Sequence, residues 1–230
     1  MKAMTETMDN KPQAANLTEL IFILDRSGSM SGLESDTIGG YNAMIEKQKQ
    51  EPGDAVITTA LFDDRYELLH DRIPLKGIRP ITEREYYVRG TTALLDAIGQ
   101  SIQKLINVHR HTAPEARADK VLFVITTDGM ENASQEYTYK KIYDMIRHQK
   151  ERYGWEFIFL GANIDAIKTA AKFGINADRA ANYHADEAGT QLNFRSVSEA
   201  VSAVRANREL TEDWKADIEQ DFVKRGGKRK

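Results

Sequence analysis

The sequence has 230 residues, of which 41% are hydrophobic and 29% charged, a balance that can bury a core and excludes disorder along the whole chain. A formal net charge of -3 and a pI near 6.0 argue against a surface built to neutralise phosphates, so no specific nucleic-acid partner is expected. There is no cysteine, which excludes disulfides, thiolate metal sites and cysteine nucleophiles.

Residues 1–16 are rich in Thr, Glu, Asp, Asn and Gln where a secretory signal would need an apolar stretch, and they read as a flexible leader. Nothing approaches the roughly 18 apolar residues of a membrane span, so no membrane is expected and the protein is placed in the cytoplasm. Leu20-Ile21-Phe22-Ile23-Leu24 is a continuous apolar run that stops at Asp25, the pattern of a strand buried on both faces. From Asp36 to about Gln50, Ile38, Tyr41 and Ile45 recur at helical spacing. Ala55 to Phe62 and Tyr66 to Ile73 are β-rich and separated by Asp63-Asp64-Arg65, which predicts a hairpin whose second strand is an antiparallel edge.

A helix starting near Thr92 places Leu95, Ile98, Ile102 and Leu105 on one face, and Val121 to Ile125 is a second all-apolar strand. A helix from about Tyr137, a strand through Phe157 to Leu160, and a short helix from Asp165 to Phe173 stopped by Gly174 follow. A weak strand at Ala180 to Tyr183 leads into a helix carrying Val197, Val201 and Val204. Residues 17–210 therefore form one α/β, Rossmann-like domain. Its six-stranded sheet is expected to be mostly parallel, with one antiparallel edge strand and helices on both faces. Residues 211–230 add an amphipathic helix through Trp214, Ile218 and Phe222 and a frayed basic tail from Lys224 to Lys230.

Ligands of parallel sheets collect beyond the carboxyl ends of the strands. Three segments there carry short oxygen side chains: Asp25-Arg26-Ser27-Gly28-Ser29, Gly90-Thr91-Thr92 and Thr126-Thr127-Asp128-Gly129. A hard divalent cation takes oxygen ligands, and Mg²⁺ keeps several waters. Ser27, Ser29 and one of the adjacent threonines Thr91 and Thr92 can supply neutral oxygens, while Asp25 and Asp128 supply charge. Taken singly, Asp25 or Ser27 also reads as a cap or turn former bonding nearby N–H groups. The convergence of the set at one sheet end favours metal.

The order and spacing of D-x-S-x-S, T and TDG resemble the metal-ion-dependent adhesion site (MIDAS) of von Willebrand factor A (vWA) domains, over about Leu17 to Tyr183 and of the intracellular bacterial type. The resemblance assigns Asp25, Ser27, Ser29 and Asp128 as metal-site residues. It selects Thr92 over Thr91, because family segments similar to Thr92 to Ile98 place the threonine six residues before that apolar position. It implies bound Mg²⁺, with Mn²⁺ or Ca²⁺ as alternatives. It further implies a protein partner whose Asp or Glu completes the coordination and, by analogy with intracellular relatives, an ATPase nearby.

A binding module, not an enzyme, is the resulting expectation. The alternative is a Mg²⁺-dependent phosphotransferase or hydrolase. The chain has no G-x-x-x-x-G-K-[ST] loop, no G-x-G-x-x-G fingerprint and no G-x-S-x-G elbow, and Ser27 stands where an aspartyl-phosphate hydrolase places its second carboxylate. Met30, Ser31, Glu131 and Asn132 are rim candidates for choosing a partner, with exposed loop polarity the simpler reading of Glu131 and Asn132. Tyr41, Tyr137 and the five histidines lack ligand spacing, and His109 and His111 read as a solvated helix end.

Overall fold

The structure is a computed structural model and describes residues 17–227. The expected leader, and the part of the basic tail at 228–230, lie outside the described residues. The strands are β1 (Leu17–Asp25), β2 (Asp54–Phe62), β3 (Tyr66–Pro74), β4 (Lys120–Thr127), β5 (Glu156–Ala162) and β6 (Ala180–Tyr183). The helices are α1 (Glu34–Gln50), α2 (Leu94–Arg110), α3 (Tyr139–Tyr153), α4 (Ala166–Lys172), α5 (Glu187–Arg205) and α6 (Ala216–Lys224).

The six strands lie in the order β3-β2-β1-β4-β5-β6, with only the β2–β3 pair antiparallel. The fold is thus the α/β sheet expected, with β1 interior and β3 at the edge. Side chains alternate faces along a strand, and β1 divides accordingly. Leu20, Phe22 and Leu24 join the core beneath α1 and α5. Ile21 and Ile23 join the opposite core with Leu95, Ile98, Ile102, Ile142 and Ile146 of α2 and α3. Covering both faces is what demands the uninterrupted apolar runs.

Two helix starts fall later than the periodicity suggests, and local capping explains both. The backbone of Thr92 and Ala93 is bonded outside the helix, to Asn132 and to Asp63, so α2 begins at Leu94. The Thr138 hydroxyl accepts from the Lys141 amide and starts α3 at Tyr139. Trp214 belongs to a 3₁₀ turn before α6, where its indole N–H donates to the Asp178 carbonyl at 2.8 Å. With Ile218 1% exposed, α6 is seated beside β6. Arg225 was expected in a frayed tail but pairs with Asp186, the N-cap of α5, and with Asp221.

His109 also departs from expectation. It is half-buried, edge-on to Trp155 with ring centroids 5.5 Å apart, and its Nε2 is buried without a partner. The last turn of α2 packs over the strand ends there, so only His111 is on the solvated side.

Candidate metal centre

The parallel register of the two central strands sets Leu24 level with Thr126, and therefore brings Asp25 and Thr127 out together at the carboxyl edge. Thr127 Oγ1 donates to Asp25 Oδ2 at 2.5 Å. The other Asp25 oxygen accepts the Ser27 amide at 2.7 Å, which folds the chain tightly after the strand. The Tyr86 hydroxyl donates to the Asp25 carbonyl from beneath.

From there a chain of side chains crosses to β4. The Ser27 and Ser29 hydroxyls are 3.1 Å apart, and Ser29 Oγ donates to Asp128 Oδ1 at 2.6 Å. A Cβ placed on Gly129 would lie 3.3 Å from Ser29 Oγ and 3.4 Å from Thr92 Oγ1. The hydroxyls of both loops therefore border the small space that Gly129 leaves open. Asp25, Ser27, Thr92 and Asp128 are all buried, at 1–3% exposure, and Ser29 faces solvent. Thr91 is exposed and Thr92 is not, which separates the two adjacent threonines.

The electrostatics follow from burial. Desolvation raises the Asp25 carboxyl to about 6, opposed by hydrogen bonds from Ser27 and Thr127, with the Asp128 charge a smaller contributor. Asp128 is raised too, by burial first, against the Ser29 hydrogen bond. Repulsion between the two carboxylates is thus secondary to desolvation. Asp128 Oδ2 is buried with no hydrogen-bond partner among the described residues. Nor does any trio of His, Cys, Asp or Glu gather into a metal-binding group among them, so hydroxyls make up the rest of this donor set.

Glu131 and Asn132 are structural pins instead of rim polarity. Asn132 Oδ1 accepts the Thr92 amide at 2.9 Å while its own amide donates to the Thr92 carbonyl at 3.0 Å. Glu131 accepts the Leu95 amide at 2.8 Å, capping α2, and the Ala133 and Ser134 amides at 3.0 and 2.7 Å. Met30 is also not a rim residue: it is 2% exposed, and among the described residues the exposed methionine is Met130, at 75%. In sequence nothing distinguishes these two loop methionines, since which one points inward depends on the turn after Ser29.

The pairing of Arg26 with Asp63 escaped the sequence reading. Arg26 is fully buried, its Nε 3.0 Å from Asp63 Oδ2 and its Nη2 2.6 Å from Glu67 Oε2. Asp63, expected to be a turn residue only, also receives Arg89 Nε at 2.6 Å. A charged residue inside a ligand motif is the one available hint, since it must find a counter-charge wherever it is buried.

No protein-family model matches the sequence, and no curated protein sequence is similar to it. Solved structures are. Proximal thread matrix protein 1 from the mussel byssus, with a zinc-occupied MIDAS motif, superposes with a TM-score of 0.56 at 13% identity over 82% of this chain and 46% of that one. Manganese-loaded TRAP protein of Plasmodium vivax gives 0.53 at 19% identity, over 79% of this chain and 74% of its own. A von Willebrand factor type A protein from Catenulispora acidiphila gives 0.52 at 16% identity, over 81% and 42%. The chain spans less than half the length of the mussel and Catenulispora chains, and at these identities the likeness is one of fold.

Proposed function

From its von Willebrand factor A fold, we propose that this chain is a metal-dependent protein-binding module. In this reading Asp25, Ser27, Ser29, Thr92 and Asp128 hold one Mg²⁺, with Mn²⁺ or Ca²⁺ as substitutes, and an Asp or Glu of a partner completes the site. The observation that carries it is the buried, unpartnered Oδ2 of Asp128 beside a carboxylate raised by burial. Two desolvated carboxylates are costly without a compensating cation.

The donor set suits the group. Two carboxylates and three hydroxyls are hard oxygen donors of the kind Mg²⁺ takes, and the absence of a side chain at Gly129 keeps their shared space open. The zinc-occupied MIDAS motif of the mussel protein and the manganese of the Plasmodium protein support a divalent ion bound by a chain of this fold. When bound, a divalent ion not fully neutralised by protein charge attracts an anionic oxygen.

Ser27 and Ser29 orient their hydroxyls through each other and through Asp128, while the Thr127 hydroxyl and the Ser27 amide fix the Asp25 carboxylate. Ser29 is the solvent-facing member and marks the side from which a partner reaches the site. Met130, exposed in the loop directly after Gly129, supplies an apolar contact for the partner. The role is that of an adaptor, not a catalyst. A cytoplasmic setting suits a chain without cysteine, and no described helix is long and apolar enough to cross a membrane.

The decisive experiment is capture of partners from lysate by immobilised wild type and Asp25→Ala, each in Mg²⁺ and in EDTA. Partners retained only by wild type in Mg²⁺ are expected. A partner held equally in EDTA would mean that binding uses another surface.

A further inference from the structure

The loop that carries Ser27 and Ser29 and the loop that carries Thr92 share no strand, yet both are tied to one residue outside the donor set. Asp63 lies in the β2–β3 turn with a fully buried side chain. Its Oδ2 takes Arg26 Nε at 3.0 Å and Arg89 Nε at 2.6 Å, and its Oδ1 takes the Arg65 amide at 2.8 Å. Its carbonyl accepts the Ala93 amide at 2.8 Å, directly after Thr92. Arg26 sits between Asp25 and Ser27; Arg89 sits three residues before Thr92.

The backbone repeats the connection. The Arg26 amide donates to the Phe62 carbonyl at 2.8 Å, the Arg89 amide to the Arg26 carbonyl at 2.9 Å, and the Gly28 amide to the Gly90 carbonyl at 3.2 Å. Gly90 has φ +65, and a Cβ there would strike the Asp64 carboxylate, so the second loop passes the turn too closely for a side chain. Fixing two loops against a third buried point is what holds hydroxyls at ligand spacing before any ion arrives.

Charge points the same way. Arg26, Arg89, Asp63 and Glu67 sum to zero, but the contacts are unequal: Asp63 is buried and touches both arginines, while the Glu67 side chain is 50% exposed and meets Arg26 at 2.6 Å and Arg89 only at 3.6 Å. Without Asp63, the buried Arg26 guanidinium, one residue from two metal-site side chains, would keep only the half-exposed Glu67 as its counter-charge.

We propose that Asp63 is the positioning residue of the metal centre, anchoring through Arg26 and Arg89 the two loops that bear Ser27, Ser29 and Thr92. It rests on the reading of this site as a metal centre. The test measures Mn²⁺ binding by loss of the free-ion electron paramagnetic resonance signal. Wild type is compared with Asp25→Ala, Asp63→Asn, Glu67→Gln and Ile218→Ala, and each variant's metal-free melting temperature is recorded alongside. Asp63→Asn should weaken Mn²⁺ binding roughly 10–100-fold. Glu67→Gln removes the same unit of charge from an exposed position and should weaken it about threefold or less. Ile218→Ala destabilises α6, which packs on α5 and β6 and carries none of the donors, and should leave affinity unchanged.

A loss in Asp63→Asn no larger than in Ile218→Ala at similar melting temperature would reduce Asp63 to a stability element. An equal loss in Glu67→Gln would assign the effect to net charge and overturn the anchoring role. If wild type takes up no Mn²⁺, or Asp25→Ala takes up as much, the metal reading itself fails, an outcome distinct from wild-type binding that Asp63→Asn leaves intact. As a metal-free check, the amide resonances of Ser27, Gly28, Gly90 and Thr92 should shift in Asp63→Asn and stay in place in Ile218→Ala. Unmoved resonances would also overturn the anchoring role.

Discussion

Ser29 Oγ donates to Asp128 Oδ1 at 2.6 Å across 99 residues of chain, joining the loop after β1 to the loop after β4. That bond occupies one oxygen of a buried carboxylate and leaves the other without a partner. Asp128→Ala should therefore lower Mg²⁺ affinity by at least about tenfold, or ~1.4 kcal/mol. Ser27→Ala should cost less, since water can replace a neutral oxygen. Isothermal titration calorimetry checks both, and unchanged affinity in Asp128→Ala would remove this carboxylate from the site.

Asp25 is 1% exposed and its carboxyl is raised to about 6 by burial. An amide of the same shape avoids that desolvation. In EDTA, Asp25→Asn is expected to melt above wild type, by the equivalent of about 1–3 kcal/mol at neutral pH. Added Mg²⁺ should raise the melting temperature of wild type and not of the variant. A lower melting temperature in EDTA would show that the Asp25 hydrogen bonds outweigh its desolvation.

Glu131 accepts three backbone amides, one of them at the first turn of α2. Glu131→Ala leaves those donors to water or unpaired and should cost about 1–2 kcal/mol in urea unfolding. Because Asn132 still holds Thr92, the variant should bind metal once folded. Wild-type stability would return Glu131 to the role of loop polarity.

His109 is held below its ordinary value of 6.5 by burial, reinforced by the charges of Arg117 and Arg72. The sign is set by which state takes the proton first: as pH falls, the unfolded chain protonates before the folded one. The contribution to stability is thus fully present above the unfolded value and is lost as pH falls through the folded one. Between about pH 7.5 and about pH 5, wild type should lose more stability than His109→Phe, read from urea midpoints. Equal losses would exclude this imidazole as a source.

Gly129 has no side chain where a Cβ would come within 3.3 Å of Ser29 Oγ and 3.4 Å of Thr92 Oγ1. Gly129→Ala should consequently weaken Mg²⁺ binding severalfold while shifting the melting temperature of the metal-free protein little. Full affinity in the variant would show that the hydroxyls are not held as closely as this.

The sheet was legible in the sequence because strands covered on both faces must be apolar without interruption. Leu20 to Leu24 and Val121 to Ile125 are such runs, and each ends in the oxygen-bearing loop that follows it. The hairpin, its antiparallel edge and the strand–helix alternation were legible for the same reason: local periodicity encodes which face is buried. Tertiary structure alone decided how the loops are held. Glu131 reaches Leu95 across 36 residues, Asn132 reaches Thr92 across 40, and Asp63 reaches Arg26 across 37. Such pairings leave no periodic trace, because a polar side chain in a loop looks alike whether it meets water or a backbone amide. Met30 and Met130 make the same point for burial: both follow a glycine or serine turn at the sheet edge, and only the path of the folded chain sends one into the core and the other to the surface.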